Sequence, residues 1–266
     1  MLLLFCLLLI AAGKPVQAQV RGGEPDAFVG STQLIVVTTS DWDGVEGRLQ
    51  RFERAAPHDA WLPIGEPTSI VVGKNGLAWG IGVIATDGPN LRGASDPVKR
   101  EGDGRAPAGV FALGTAFGDA VQPLPGSKMP YLNLTASIEC VDDPGSKYYN
   151  RVVDRSAVTP DWNSAEHMRA IELYRWGVVV GLNGIVTDVK TNPTVPGGGS
   201  CVFLHIWRNS TQGTAGCTAM PQSELETLLT WLDPTRKPLL VQLPEPDYGR
   251  LISRWKLPTL IAARPR

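Results

Sequence analysis

Cys201-Val202-Phe203-Leu204-His205-Ile206 stands between a Pro/Gly-rich stretch and a polar run. It is apolar except for one histidine, holds no glycine or proline, and reads as a buried strand. The polar run Asn209-Ser210-Thr211-Gln212-Gly213-Thr214 follows and predicts a turn-rich loop. Ala215-Gly216-Cys217-Thr218-Ala219-Met220 then leads into Pro221. From Pro221 to Leu232 the chain changes period. Leu225, Leu228, Leu229 and Leu232 recur at i, i+3, i+4 and i+7, the stripe of an amphipathic helix. Pro221 suits the first turn of that helix, and Asp233-Pro234 ends it.

On both sides of this unit the pattern is mostly of strands. Thr32–Thr38 is β-branched and apolar, and Leu49–Arg54 alternates apolar with charged residues. Ser69–Gly73 is a short strand before an Asn75-Gly76 turn. Val110–Leu113 is entered through Pro107-Ala108-Gly109. Tyr131–Leu134, Ser137–Val141, Leu173–Val180 and Leu239–Leu243 are also strand-like. Asp87–Ala106 and Asn192–Ser200 read as loops, Ser164–Arg169 as one or two helical turns, and Asp247–Trp255 as a closing helix. The 29 glycines and 22 prolines fit many turns between short strands. The expected fold is mainly β, a sandwich with a few short helices. No repeat and no separating linker appears, so residues 19–266 are expected to form one domain with its core at about 32–244.

The chain has 266 residues, 43% hydrophobic and 19% charged, with a formal net charge of -1. That is globular composition, and no strong field draws the protein to nucleic acid or anionic lipid. Leu2–Ala12 is an apolar run too short to span a bilayer, which needs ~20 residues. Gly13-Lys14-Pro15 breaks it, and Val16-Gln17-Ala18 offers the small residues a signal peptidase reads. Residues 1–18 are therefore expected to be a secretory signal, leaving a protein of the periplasm or cell envelope with no stable membrane span. A retained short anchor is the other reading, because no Lys or Arg precedes the run.

Cys6 would leave with the signal, so Cys140, Cys201 and Cys217 remain. An odd count in an exported chain marks a free thiol or an intermolecular bridge. Cys140 closes a strand and Cys201 starts one, whereas Cys217 follows a glycine in a run of small residues. The expectation is a Cys140–Cys201 disulfide with Cys217 free; three reduced, buried cysteines is the alternative.

A nucleophilic cysteine needs a route to the thiolate, access, and N–H donors for an oxyanion. Cys217 at a Gly216 turn, with His205 ending the strand upstream, meets the outline of that requirement. An ion pair with His205 would lower the thiol pKa. A satisfied core histidine beside a structural cysteine is the plainer reading of the same residues. Of the three histidines, His58 and His167 lie in polar segments without a thiol, and no His-x-x-x-His pair suggests a zinc site. Trp207 and Arg208 follow the histidine directly; an aromatic ring and a guanidinium suit a peptide or glycan groove, although Trp207 could equally pack beneath the loop. Tyr149 and Asn150 are further candidates to line it, and Pro123–Pro130 and Asn192–Gly199 are candidate lids.

His205, eleven intervening residues, then Cys217-Thr218-Ala219-Met220 resembles the catalytic signature of the L,D-transpeptidase (YkuD-like) family. Ala106-Pro107-Ala108-Gly109-Val110-Phe111 is similar to that family's Thr-Pro-x-Gly-x-Phe segment, and weaker similarity runs from about Leu34 to Leu243. The resemblance implies a β-sandwich-like fold and an acyl-enzyme on Cys217, with His205 as base and Gly216 and Cys217 N–H groups at the oxyanion. Peptidoglycan stem peptides are the implied partners, and no cofactor or metal is implied. Thr214, Ala215 and Ala219 depart from the serine, histidine and arginine of the family turn, with Thr214 still counted, beside Cys217, His205 and Gly216, among the implied catalytic residues. Those departures leave three outcomes open: cross-linking by an amine acceptor, hydrolysis as an L,D-carboxypeptidase, endopeptidase or amidase, or a non-catalytic peptidoglycan-binding module.

Overall fold

The computed structural model describes residues 28–85, 91–184 and 194–262. The expected signal at 1–18 lies outside them. Thirteen strands run in chain order: β1 (Gln33–Thr39), β2 (Glu46–Glu53), β3 (Leu62–Val71), β4 (Leu77–Trp79), β5 (Ala106–Gly118), β6 (Tyr131–Asn133), β7 (Ile138–Val141), β8 (Val152–Asp154), β9 (Ala165–His167), β10 (Trp176–Val180), β11 (Phe203–Ile206), β12 (Thr218–Met220) and β13 (Leu239–Pro244). Two α-helices, α1 (Gln222–Trp231) and α2 (Glu245–Trp255), and several 3₁₀ turns complete the described residues.

The structure is mainly β, but its large sheet closes on itself. The order β10-β11-β12-β3-β2-β1-β13-β5 returns to β10, because β5 pairs with both β13 and β10. This is an eight-stranded barrel, where a sandwich was expected from the many short strands. Strand count alone does not distinguish the two. What closes the ring is the 13-residue β5, which binds β13 through 109–112 and β10 through 113–118. A closed ring leaves no long edge exposed. Only β11–β12 and β1–β13 pair parallel around it.

β1 has no polar alternation because both of its faces are covered. One face joins the barrel interior, and α2 packs over β1 and β13. α1 buries Leu225, Leu228 and Leu229 in the same core, beside β10 and β11. Outside the barrel, β8-β7-β9 forms a small antiparallel sheet, a flap against the wall made by β5, β10 and β11. The alternation of β11 explains the two-sided packing. Leu204 and Ile206 enter the barrel core, while Phe203 belongs to an outer cluster with Phe117, Cys140, Tyr174 and Cys217. Gly177 stands opposite His205 in the ladder, and a Cβ there would meet the Phe117 ring at 2.3 Å. Only glycine lets that ring lie flat against β10.

Several local expectations change. Ser164–Arg169 holds strand β9 followed by a 3₁₀ turn, Met168–Ala170, because Glu139, Cys140 and Val141 of β7 recruit it into a ladder. The segment at Leu173 begins as a 3₁₀ turn, Glu172–Tyr174, that swings Tyr174 into the outer cluster; the strand starts at Trp176. β11 starts at Phe203, since Cys201 takes a left-handed φ of +51°. The three-residue β4, β8 and β12 were not expected, being too short for a period to show.

Candidate active site

β11 and β12 lie side by side in parallel, with Leu204 opposite Thr218 and His205 opposite Ala219. β12 is pinned from within. The Thr218 hydroxyl donates to Gln242 Oε1 at 2.6 Å, and Gln242 Nε2 donates to the Pro107 carbonyl at 2.8 Å, all buried. The loop between the two strands is braced by Asn209 Oδ1, which accepts the N–H groups of Thr211 and Gln212. It is then pinned to the barrel rim: Thr214 N–H donates to Val72 O at 2.9 Å, and Lys74 N–H to Thr214 O at 2.8 Å.

Thr214 shapes the turn rather than the chemistry. Its hydroxyl accepts Gly216 N–H at 3.1 Å and donates to Cys217 O at 2.6 Å. That bond corrects the expectation that Gly216 N–H serves an oxyanion, because it is already engaged. Among the described residues the N–H groups of Ala215 and Cys217 make no hydrogen bond. Gly216 is favoured by space, not by φ: a Cβ would stand 3.2 Å from the Arg105 carbonyl, which would have to give by a few tenths of an ångström.

Cys217 and His205 line one open groove together with Lys99, Glu101, Asp142, Glu166, Tyr174, Trp207 and Arg208. Cys217 is a buried residue whose sulfur accepts Phe203 N–H at 3.3 Å and donates to Cys201 O at 3.6 Å. Burial, and then the nearby Glu166 charge, push its pKa up to about 12. His205 Nδ1 lies 2.8 Å from the Ile206 carbonyl, which can only accept, so Nδ1 carries the proton and Nε2 is the basic nitrogen. Burial lowers the His205 pKa to about 4. The resting pair is thus neutral thiol and neutral imidazole, not the expected ion pair. A dry site penalises both charged forms.

Cys140 and Cys201 are joined in a disulfide, and among the described residues Cys217 is the free cysteine. The bond ties the flap to the start of β11. Arg208 is exposed and has no partner among the described residues; Trp207 is half-buried beside it. Tyr149 and Asn150 do not line the groove. Tyr149 is buried, its hydroxyl bound to Glu101 and to Gly199 N–H. Asn150, at φ +62°, accepts Cys201 N–H at 3.1 Å and donates to Leu182 O at 2.8 Å. Both brace the Cys201 segment, because their side chains turn inward under the flap. Pro123–Pro130 is no lid either: Met129 enters the barrel core and Ser127 bonds to Leu229 of α1. Of the other candidate lid, 192–193 lie outside the described residues, while Gly199 is held by Tyr149.

Sequence reasoning missed Lys99, Glu101, Asp142, Glu166 and Tyr174 as groove residues. Each is placed by a flap or loop contact far along the chain, and no local spacing marks it. Tyr174 donates to Glu166 Oε2 at 2.8 Å and packs edge-on to His205, ring centroids 5.2 Å apart. Burial raises the Glu166 pKa to about 7. Lys99 is committed to Asp103 at 2.5 Å. Among the described residues no cluster of His, Cys, Asp or Glu could hold a metal ion, and no helix is long and apolar enough to cross a membrane. No family model, curated protein or solved structure matches the chain.

Proposed function

We propose that the chain is an exported cysteine acyltransferase of the L,D-transpeptidase type, acting on peptidoglycan stem peptides. The observation that carries this reading is the shared groove. A free cysteine just before β12 and a histidine within the neighbouring parallel β11, its Nδ1 committed to Ile206 O, line one open cleft. In the proposed step the Cys217 sulfur attacks the carbonyl between an L- and a D-centre, and the S–H proton passes to His205 Nε2. A neutral imidazole with a low pKa is free to accept at neutral pH, and the transfer then accompanies attack instead of preceding it. The N–H groups of Ala215 and Cys217 would hold the oxyanion. His205 returns the proton to the departing D-residue amine, and an amine from a second stem resolves the thioester into a cross-link. Arg208, exposed and unpaired, suits a stem carboxylate.

The resemblance to the L,D-transpeptidase family enters this proposal through the strand histidine and the turn cysteine alone; the closed barrel differs from the sandwich that the family implies. The disulfide supports an oxidising compartment, hence the periplasm or cell envelope. Two other readings each have an observation behind them. Ala215 and Ala219 depart from the family turn and so leave the acceptor unassigned, which keeps a carboxypeptidase, endopeptidase or amidase using water as a second reading. A thiol held at about 12 favours a non-catalytic peptidoglycan-binding module.

The test is to incubate the purified full chain with disaccharide-tetrapeptide muropeptides, beside Cys217→Ala, and to identify products by mass spectrometry. Dimers joined between two L,D-centres, absent with Cys217→Ala, are expected. Loss of the terminal D-residue without dimers would make the protein a hydrolase, and binding without turnover would leave a recognition module.

A further inference from the structure

Next to the groove lies a second hollow of about 350 Å³ that the mechanism above does not use. Ile171 and Tyr174 line both spaces. The shared wall follows from the chain path. Two 3₁₀ turns, Met168–Ala170 and Glu172–Tyr174, connect the flap to β10, with the groove on one side and the hollow on the other. A peptide that extends from the groove past Ile171 enters the hollow.

The lining combines an apolar floor with unused donors. Leu134 and Met168 are almost fully buried there, and Ile171 is half-buried. Above them stand Arg169 and Arg175, both half-exposed. Each faces Asp119, at 3.8 and 3.9 Å. Those are ion-pair distances beyond the reach of a hydrogen bond. Among the described residues neither guanidinium makes a hydrogen bond, so five N–H donors on each are free for a ligand. The backbone beneath is better held. Arg175 N–H donates to Glu172 O at 3.2 Å, and Arg175 O accepts Asp119 N–H at 3.3 Å.

We infer that this hollow is an anion subsite, in which Arg169 and Arg175 hold a carboxylate inside the stem peptide, distinct from the terminal one given to Arg208. The inference rests on the reading of the groove as a stem-peptide site and deepens it. A planar guanidinium pairs with a carboxylate through two parallel N–H bonds, a geometry that Asp119 does not achieve with either arginine. A ligand carboxylate offering that geometry competes well against a long, half-exposed ion pair. Glu172 is the other charge lining the hollow, and with Asp119 it brings the lining to neutrality. Preference for an anion therefore comes from the unused donors and not from net charge. Glu172 is exposed, so water and salt screen its repulsion.

The experiment is calorimetric titration of the full chain carrying Cys217→Ala, which stops turnover. The probes are a synthetic stem tetrapeptide with one internal carboxylate and the same peptide with that carboxylate converted to the amide. In the Cys217→Ala background, Arg169→Gln and Arg175→Gln are each expected to weaken binding of the carboxylate peptide about fivefold. Binding of the amidated peptide should stay within about twofold, which also shows that the groove is intact. Glu172→Gln should tighten the carboxylate peptide and leave the amidated one unchanged. Equal losses for both peptides from the arginine substitutions, or no loss for either, overturn the inference alone. If the Cys217→Ala chain binds neither peptide, the stem-peptide reading falls and the inference with it.

Discussion

The Cys217 thiol donates to the backbone carbonyl of Cys201 across 3.6 Å, and Cys201 is itself bonded to Cys140. The oxidised pair therefore positions the free cysteine. Cys201 holds a left-handed φ of +51°, a conformation that an unbraced non-glycine residue avoids. Three ties keep it there: the disulfide, the Asn150 side chain on its N–H, and the ladder that begins two residues on. Replacing Cys140 and Cys201 together by serine opens a 61-residue separation. The loss of stability expected from chain entropy is about 4 kcal/mol at most. Urea unfolding should show it as a lower midpoint. Turnover should fall further than the folded fraction does, because the thiol loses a fixed acceptor. Unchanged turnover in the folded double variant would show that Cys201 does not position Cys217.

Asn150 gives a sharper test of the same bracing. Asn150→Ala removes a residue type that tolerates φ +62° and strands the Cys201 N–H. Left-handed strain costs about 1–2 kcal/mol in an ordinary residue, and an unmet buried donor about 1–3 kcal/mol. A net loss of about 2–4 kcal/mol in urea unfolding is expected. KM for a muropeptide should stay within about twofold of wild type, since Asn150 does not reach the groove. A selective rise in KM would restore it to the substrate-binding residues.

Arg208 predicts the opposite pattern. It is exposed, follows β11, and carries no partner among the described residues. Arg208→Ala should change stability by no more than about 0.5 kcal/mol. If it holds a stem carboxylate, KM should rise about tenfold with kcat nearly constant, the signature of an interaction made equally in ground and transition states. Steady-state kinetics on a tetrapeptide stem, beside the same stem amidated at its C-terminus, decides it. The amidated substrate should be indifferent to the substitution.

What the sequence carried clearly was local. The α1 stripe of leucines, the apolar runs of β1 and β13, and the Gly216-Cys217 turn are read correctly from period and composition because neighbours in the chain determine them. The barrel was not legible in that way. Closure depends on β5 serving two partners and on a three-residue β12 pinned by Gln242, a contact 24 residues distant. The groove divides along the same line. Cys217 and His205 sit within one strand-loop-strand unit and announce themselves. Glu166 and Tyr174 arrive on the flap, carried by the β7–β9 ladder and a 3₁₀ turn, and their spacing from Cys217 has no meaning in one dimension. Tyr149 and Asn150 were misassigned for a related reason. A polar aromatic pair looks like a surface until the loop that covers it is known.

His205 and Glu166 make opposing contributions to stability, and that opposition can be measured. The His205 pKa falls from 6.5 to about 4 in the folded state, so the unfolded chain binds the extra proton between those values. Its contribution is fully present above pH 6.5 and is lost as pH falls toward about 4. The Glu166 pKa rises from 4.5 to about 7, so there the folded chain holds the extra proton. Its contribution is fully present below pH 4.5 and is lost as pH rises through about 7. Each slope is at most about 1.4 kcal/mol per pH unit, with opposite sign. In the shared window the two largely cancel, and the wild-type Tm should change little across it. Glu166→Gln should leave the histidine slope, with Tm climbing as pH rises to 6.5 and exceeding wild type above pH 7. His205→Gln should leave the carboxylate slope, with Tm falling over the same range. Calorimetric scans of the three proteins at matched ionic strength test this. Parallel profiles would mean that neither group is as dry as its place beneath the flap requires.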